Sequence, residues 1–85
     1  MSDEKKLIQL RNSIDAIDSQ LLALINKRAG CAKEVAGVKE GLGDSVYFRP
    51  EREANVLRSV MEKNKGPLGS EEVARLFREI MSACL

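Results

Sequence analysis

Residues 7–38 read LIQLRNSIDAIDSQLLALINKRAGCAKEVAGV. Within them Leu7, Leu10, Ile14, Ile17, Leu21, Leu24, Arg28, Cys31, Val35 and Val38 recur at alternating steps of three and four. An apolar stripe of that spacing and length describes one long helix packed against others. Arg28 is the charged member of the stripe, and a guanidinium held there costs roughly several kcal/mol unless an anion meets it. Two readings follow. Arg28 is the floor of an anion site, or it is a register-setting polar residue paired with a carboxylate from a neighbouring helix.

The length of that helix sets the architecture. From Lys5 to Glu40 it extends ~54 Å at ~1.5 Å per residue, whereas a compact chain of 85 residues is roughly 30 Å across. The helix is too long for its own globule. With few aromatics (Tyr47, Phe48, Phe77) and no Trp, the isolated core is also thin. The expectation is an all-α chain of three helices, one very long, forming an intertwined homodimeric helical bundle in which each long helix crosses both halves.

The remaining boundaries follow from local chemistry. Ser2 or Asp3, followed by Glu4, caps the long helix, which ends near Gly41 and Gly43 before a loop from Gly41 to Tyr47. A second helix begins at Pro50, whose missing N–H falls where the donor would be orphaned, and ends at Gly66-Pro67. A third opens with Ser70 as its cap, then Glu71 and Glu72, and presents Val73, Leu76, Phe77, Ile80 and Cys84 as its apolar face. Residues 1–85 thus form one domain. The third face is still apolar at Leu85, so the domain is expected to be shortened at its C-terminus from a longer chain.

Composition excludes several function classes. A net charge of +1 without a basic run does not suit a nucleic-acid binder. No apolar stretch is long enough for a membrane span, and the charged start is unlike a signal peptide. With no His and two cysteines at apolar helical positions, no metal site is expected. A reducing cytoplasm is the simplest setting.

The polar residues that break the pattern point to a ligand. Lys39 follows Arg28 by eleven residues, about 20° round the helix, so the two share a face, with Ala32 and Val35 leaving a recess between them. Two such cations can clamp a small dianion. Arg11 lies roughly 100° away from Arg28 and faces elsewhere in its own chain, but an antiparallel dimer can aim it into the partner's site. Glu53 heads a stripe continued by Val56, Leu57 and Val60, which turns its carboxylate inward toward a cation or a ligand hydroxyl. The plainer alternatives are a helix-end role for Lys39, a surface role for Arg11, and pairing of Glu53 with Arg49. Ala16, Ala23, Gly30 and Gly37 recur every seven residues and suit close helix packing, which offsets about 1 kcal/mol per mid-helix glycine.

Leu10-Arg11, the run from Leu21 to Arg28, Val35-Ala36-Gly37-Val38-Lys39, Arg49-Pro50-Glu51-Arg52-Glu53-Ala54 and, in the third helix, Arg75-Leu76-Phe77-Arg78-Glu79-Ile80 resemble the all-helical class of chorismate mutases. The resemblance covers nearly the whole chain and is closest to the domain fused ahead of prephenate dehydratase in bacterial bifunctional enzymes of phenylalanine biosynthesis. It implies an intertwined dimer with two sites, each converting chorismate to prephenate by an intramolecular Claisen rearrangement. That chemistry needs no cofactor, metal or nucleophile; it needs a dicarboxylate held in a compact conformer with positive charge at the breaking ether oxygen.

Carried over to this sequence, the resemblance makes Lys39, Arg28 and Glu53 catalytic. Arg28 and the partner's Arg11 would grip the carboxylates, Lys39 would donate to the ether oxygen, and Glu53 would take the ring hydroxyl with Arg52 beside it. Arg49 and Cys84 complete the substrate-binding set, standing where some members have an acidic residue and a serine. The family also places a Gln or Glu about one turn beyond Cys84 to donate to the ether oxygen. An isochorismate pyruvate lyase of the same fold, and a non-catalytic dimerisation module using Arg28 and Glu53 as a structural pair, are the alternatives.

Overall fold

The computed structural model describes residues 2–41, 43 and 50–84, and these form three helices, α1 (Asp3–Gly41), α2 (Pro50–Lys63) and α3 (Ser70–Ala83). Ser2 caps α1. Its hydroxyl accepts the Lys5 N–H at 3.3 Å and its carbonyl the Lys6 N–H at 3.1 Å. At the other end the Gly43 N–H donates to the Glu40 carbonyl at 3.0 Å, with Gly43 at φ +80°, a conformation glycine adopts without a side-chain clash. The expected loop beyond Gly43, including Tyr47, lies outside the described residues.

Pro50 opens α2 as expected, but the helix stops at Lys63 rather than at Gly66-Pro67. Asn64 ends it: its Nδ2 donates to the Leu68 carbonyl at 2.8 Å and its Oδ1 accepts the Gly66 N–H at 3.2 Å, folding the next residues into a turn. Ser70 is not the cap of α3. It is the first helical residue, and Gly69, extended at φ −69° and ψ 155°, holds the cap position without a side-chain bond. The Glu72 carboxylate fills the space there, so a Cβ on Gly69 would run into Glu72 Oε2.

α2 and α3 pack on each other as a helical hairpin. Its most buried residue is Ala74, only 2% exposed, a small side chain of the kind that lets two helices approach closely. Val73, Phe77, Ile80, Met81 and Cys84 of α3 are half-buried, α2 contributes Glu53, Val56, Leu57, Ser59 and Val60, and Asn64 just beyond α2 is half-buried too. Leu76, expected on this face, is instead 52% exposed at its edge.

α1 stands largely apart. It has no buried residue, and seam residues such as Leu7, Ile14, Leu21 and Leu24 are exposed, Leu24 by 61%. The molecule measures 61 × 23 × 16 Å with a radius of gyration of 17.3 Å, against ~12 Å for a compact chain of this length. Among the described residues no helix is long and apolar enough to cross a membrane. A long, mostly apolar seam facing water is the kind of surface that marks an interaction site.

Candidate active site

With Leu7 at heptad position a, the e positions of α1 are Arg11, Asp18, Ile25, Ala32 and Lys39, and the b positions are Ile8, Asp15, Leu22, Ala29 and Ala36. These two rows make one flank beside the seam. Ala29, Ala32, Ala36 and Lys39 on that flank, and Arg28 in the adjoining seam row, are half-buried, while every other described residue of α1 is exposed. The C-terminal half of the flank is therefore shielded within the chain, and the N-terminal half, with Ile8, Arg11, Leu22 and Ile25, is open.

Arg28 and Lys39 bound the shielded stretch. Their Cα atoms lie ~16 Å apart along the axis, a span two long side chains can close. Between them on that side stand the half-buried Ala29, Ala32 and Ala36, side chains small enough to leave room. Val35, expected there, is 52% exposed and belongs to the open seam. The crowding of alanines around Arg28 carried the signal; what the spacing did not weigh is that the flank is one position wider than the seam. A Cβ at Gly30 or Gly37 meets nothing within 4 Å, so the chain itself does not require those glycines.

Glu53 is half-buried at the head of the α2 stripe, and Arg52 next to it is exposed. Cys84 is half-buried at the C-cap of α3, its N–H 3.2 Å from the carbonyls of both Ile80 and Met81. A hairpin brings the start of one helix beside the end of the next, so Glu53 and Cys84 share an end of the α2–α3 pair. Arg49 lies outside the described residues. Arg11 is not brought to the others: it is exposed, and ~26 Å along α1 from Arg28.

Among the described residues neither Arg28 nor Lys39 is ion-paired, and the charge pair present, Arg75 with Glu72 at 4.0 Å, lies on the surface of α3. A cavity of about 480 Å³ lined by Met61, Glu71, Glu72, Ala74, Arg75 and Arg78 sits at the turn end of the hairpin, away from Glu53 and Cys84. None of the sequence-identified residues lines it. The arrangement on α1 is a row of small side chains between two cations that no carboxylate among the described residues pairs. It suits a small, multiply charged anion.

Residues 10–85 match the family model for chorismate mutase type II. The chain belongs to the chorismate mutase type II family. It is 57% identical over 89 residues to the bifunctional chorismate mutase/prephenate dehydratase of Pseudomonas aeruginosa, covering 100% of this chain and 24% of that protein. The protein of the same description from Neisseria gonorrhoeae is 50% identical over 82 residues, which is 96% of this chain and 22% of the relative. This member of the chorismate mutase type II family thus spans about a quarter of the length of these curated relatives. Among solved structures, form I of the chorismate mutase from Thermus thermophilus superposes with a TM-score of 0.91 at 29% identity, covering 94% of this chain and 99% of that one. That agreement includes the detached α1, so the extended shape is shared with a family member of nearly the same length.

Proposed function

We propose that this chain rearranges chorismate to prephenate as an antiparallel homodimer, each site combining Arg28, Lys39 and Glu53 of one protomer with Arg11 of its partner. The observation that carries this reading is the flank of α1, shielded around Arg28 and Lys39 and open around Arg11. If two copies pair antiparallel, the open half of one flank falls on the shielded half of the other.

The register supports it quantitatively. α1 runs from residue 3 to residue 41, so its midpoint is residue 22, and the seam from Leu7 to Val38 is centred within half a residue of it. Pairing about that midpoint overlaps the whole seam and sets each residue level with the partner residue whose number completes 44. The partner's Arg11 then stands level with residue 33, ~7.5 Å beyond Arg28 and ~9 Å short of Lys39. In an antiparallel pair the e rows of the two helices face each other, and left-handed supercoiling keeps them there over several heptads. Three cations converge on one alanine-lined recess.

Such a site accelerates a pericyclic rearrangement without a covalent intermediate. Arg28 and the partner's Arg11 fork onto the two carboxylates and hold the substrate in its compact conformer. Lys39 donates to the ether oxygen, an interaction that strengthens as the C–O bond breaks and so lowers the barrier rather than only the binding energy. Glu53 accepts the ring hydroxyl, Arg52 supports Glu53 and the carboxylates, and Arg49 and Cys84 close the substrate-binding set. The relatives' names pair this activity with prephenate dehydratase; we assign residues 1–85 to the mutase activity. The free thiols of Cys31 and Cys84 suit a reducing cytoplasm.

The test is chorismate consumption by the chain, with prephenate identified as the product and the sedimentation coefficient measured in the same buffer. A dimer forming prephenate well above the spontaneous background is the expected result. A dimer without turnover would leave a structural bundle, and turnover of isochorismate in preference to chorismate would indicate the lyase.

A further inference from the structure

The seam guanidinium itself lacks a counter-charge. Arg28 is half-buried with no ion pair among the described residues, and its own flank offers no carboxylate near it: Asp15 and Asp18 are ten or more residues away, exposed and likewise unpaired. In the antiparallel pairing proposed above, on which this step rests, the partner's Asp18 comes level with residue 26, ~3 Å along the axis from Arg28. Position e flanks position a on the helix surface, so a partner residue at e and an arginine at a meet on the same side of the interface.

We infer that the partner's Asp18 pairs with Arg28 across the interface and is a positioning residue of the active site. A carboxylate accepting two parallel N–H bonds fixes the plane of the guanidinium and leaves its remaining N–H groups aimed along the flank toward Ala32 and the partner's Arg11. It also corrects the charge. Arg28, Lys39, Arg49, Arg52 and the partner's Arg11 together with Glu53 sum to +4; one carboxylate brings the site to +3, closer to the two charges of a dianion. The same pairing answers the repulsion between Arg28 and the partner's Arg11 before substrate arrives. Each active site thereby depends on two residues of the opposite chain, Arg11 on the substrate and Asp18 behind Arg28.

Asp18→Asn tests this, with Asp18→Glu as the conservative variant. For the dimer, Asp18→Asn is expected to lower kcat/KM at least tenfold, mainly through KM, and Asp18→Glu to restore most of it. A merely structural contribution would lower the melting temperature without that KM effect. The decisive readout is complementation. Asp18→Asn and Arg28→Met chains, unfolded together and refolded as a 1:1 mixture, give mixed dimers in which one site has Arg28 facing an intact partner Asp18. Activity should rise to about a quarter of wild type, against about a twentieth when the two homodimers are blended without exchange. Wild-type kinetics for Asp18→Asn, or no gain on refolding together, overturns the pairing while leaving the mutase dimer standing. A monomeric or inactive wild-type chain overturns the dimer reading, and the pairing with it.

Discussion

Arg28 and Lys39 are the two charged residues of α1 that are not fully exposed, and they lie eleven residues apart on one side of it. Nothing among the described residues neutralises either of them. Two partly covered cations on one side of a helix, without an ion partner among the described residues, suit a bound dianion, and this asymmetry is what orients the functional reading.

On the proposed mechanism, Lys39→Ala removes the donor to the ether oxygen and leaves the seam untouched. Loss of one preorganised donor of this kind costs ~3 kcal/mol of barrier, so kcat should fall about a hundredfold or more with the dimer intact. Steady-state kinetics and sedimentation on the same preparation check both halves. Wild-type kcat in this variant would remove Lys39 from the mechanism.

In the proposed dimer Arg11 and Lys39 serve the same site from different chains, which makes their variants complementary. Arg11→Ala and Lys39→Ala homodimers should each be severely impaired. Refolded as a 1:1 mixture, half the dimers are mixed and one of their two sites is intact, so about a quarter of wild-type activity should return. If both residues act within one chain, no activity returns on mixing.

Leu21 lies one residue from the midpoint of α1 and is 50% exposed in the single chain. In the antiparallel pair it approaches its own copy, so Leu21→Asp sets two carboxylates against each other inside an apolar seam. The variant should sediment as a monomer at micromolar concentration and lose at least about a hundredfold in activity, partly regained on concentration. For the wild-type chain, the same coupling predicts a melting temperature that rises with protein concentration.

Much of this was legible in the sequence because its strongest signals are local. The seam spacing specified α1 to within a few residues, Ser2 gave its start and Pro50 the start of α2. The misses all involve tertiary context. Ser70 has the chemistry of a cap, but Glu72 and the extended Gly69 shift the helix start by one residue. Val35 and Leu76 have the right hydrophobicity for covered positions and are open, while Ala29, Ala36 and Ala74 are covered because they are small. Hydrophobicity marks what favours burial; close helix approach selects small side chains, and that depends on the neighbouring helix. The candidate site read from the sequence was Arg28, Lys39 and Glu53, three polar residues on otherwise apolar or small faces, and the structure leaves all three half-buried. The counter-charge of Arg28 was not legible, because the carboxylate proposed for it belongs to the other chain.

Ala74 gives the clearest stability test. It is the described residue with the least exposure, 2%, and it sits where α3 meets α2. Ala74→Leu forces three further carbons into that contact, and overpacking of this kind costs ~1–3 kcal/mol. At ~4–8 °C per kcal/mol for a domain of this size, the melting temperature should drop by roughly 5–20 °C. The damage should also reach the site, because Glu53 on α2 and Cys84 on α3 are held at the open end of the same hairpin. Near 10 °C, where the variant is folded, kcat/KM should still be lowered if the hairpin positions Glu53, whereas a purely global loss of stability would leave low-temperature kinetics at the wild-type value. Circular dichroism melts and kinetics at 10 °C separate the two.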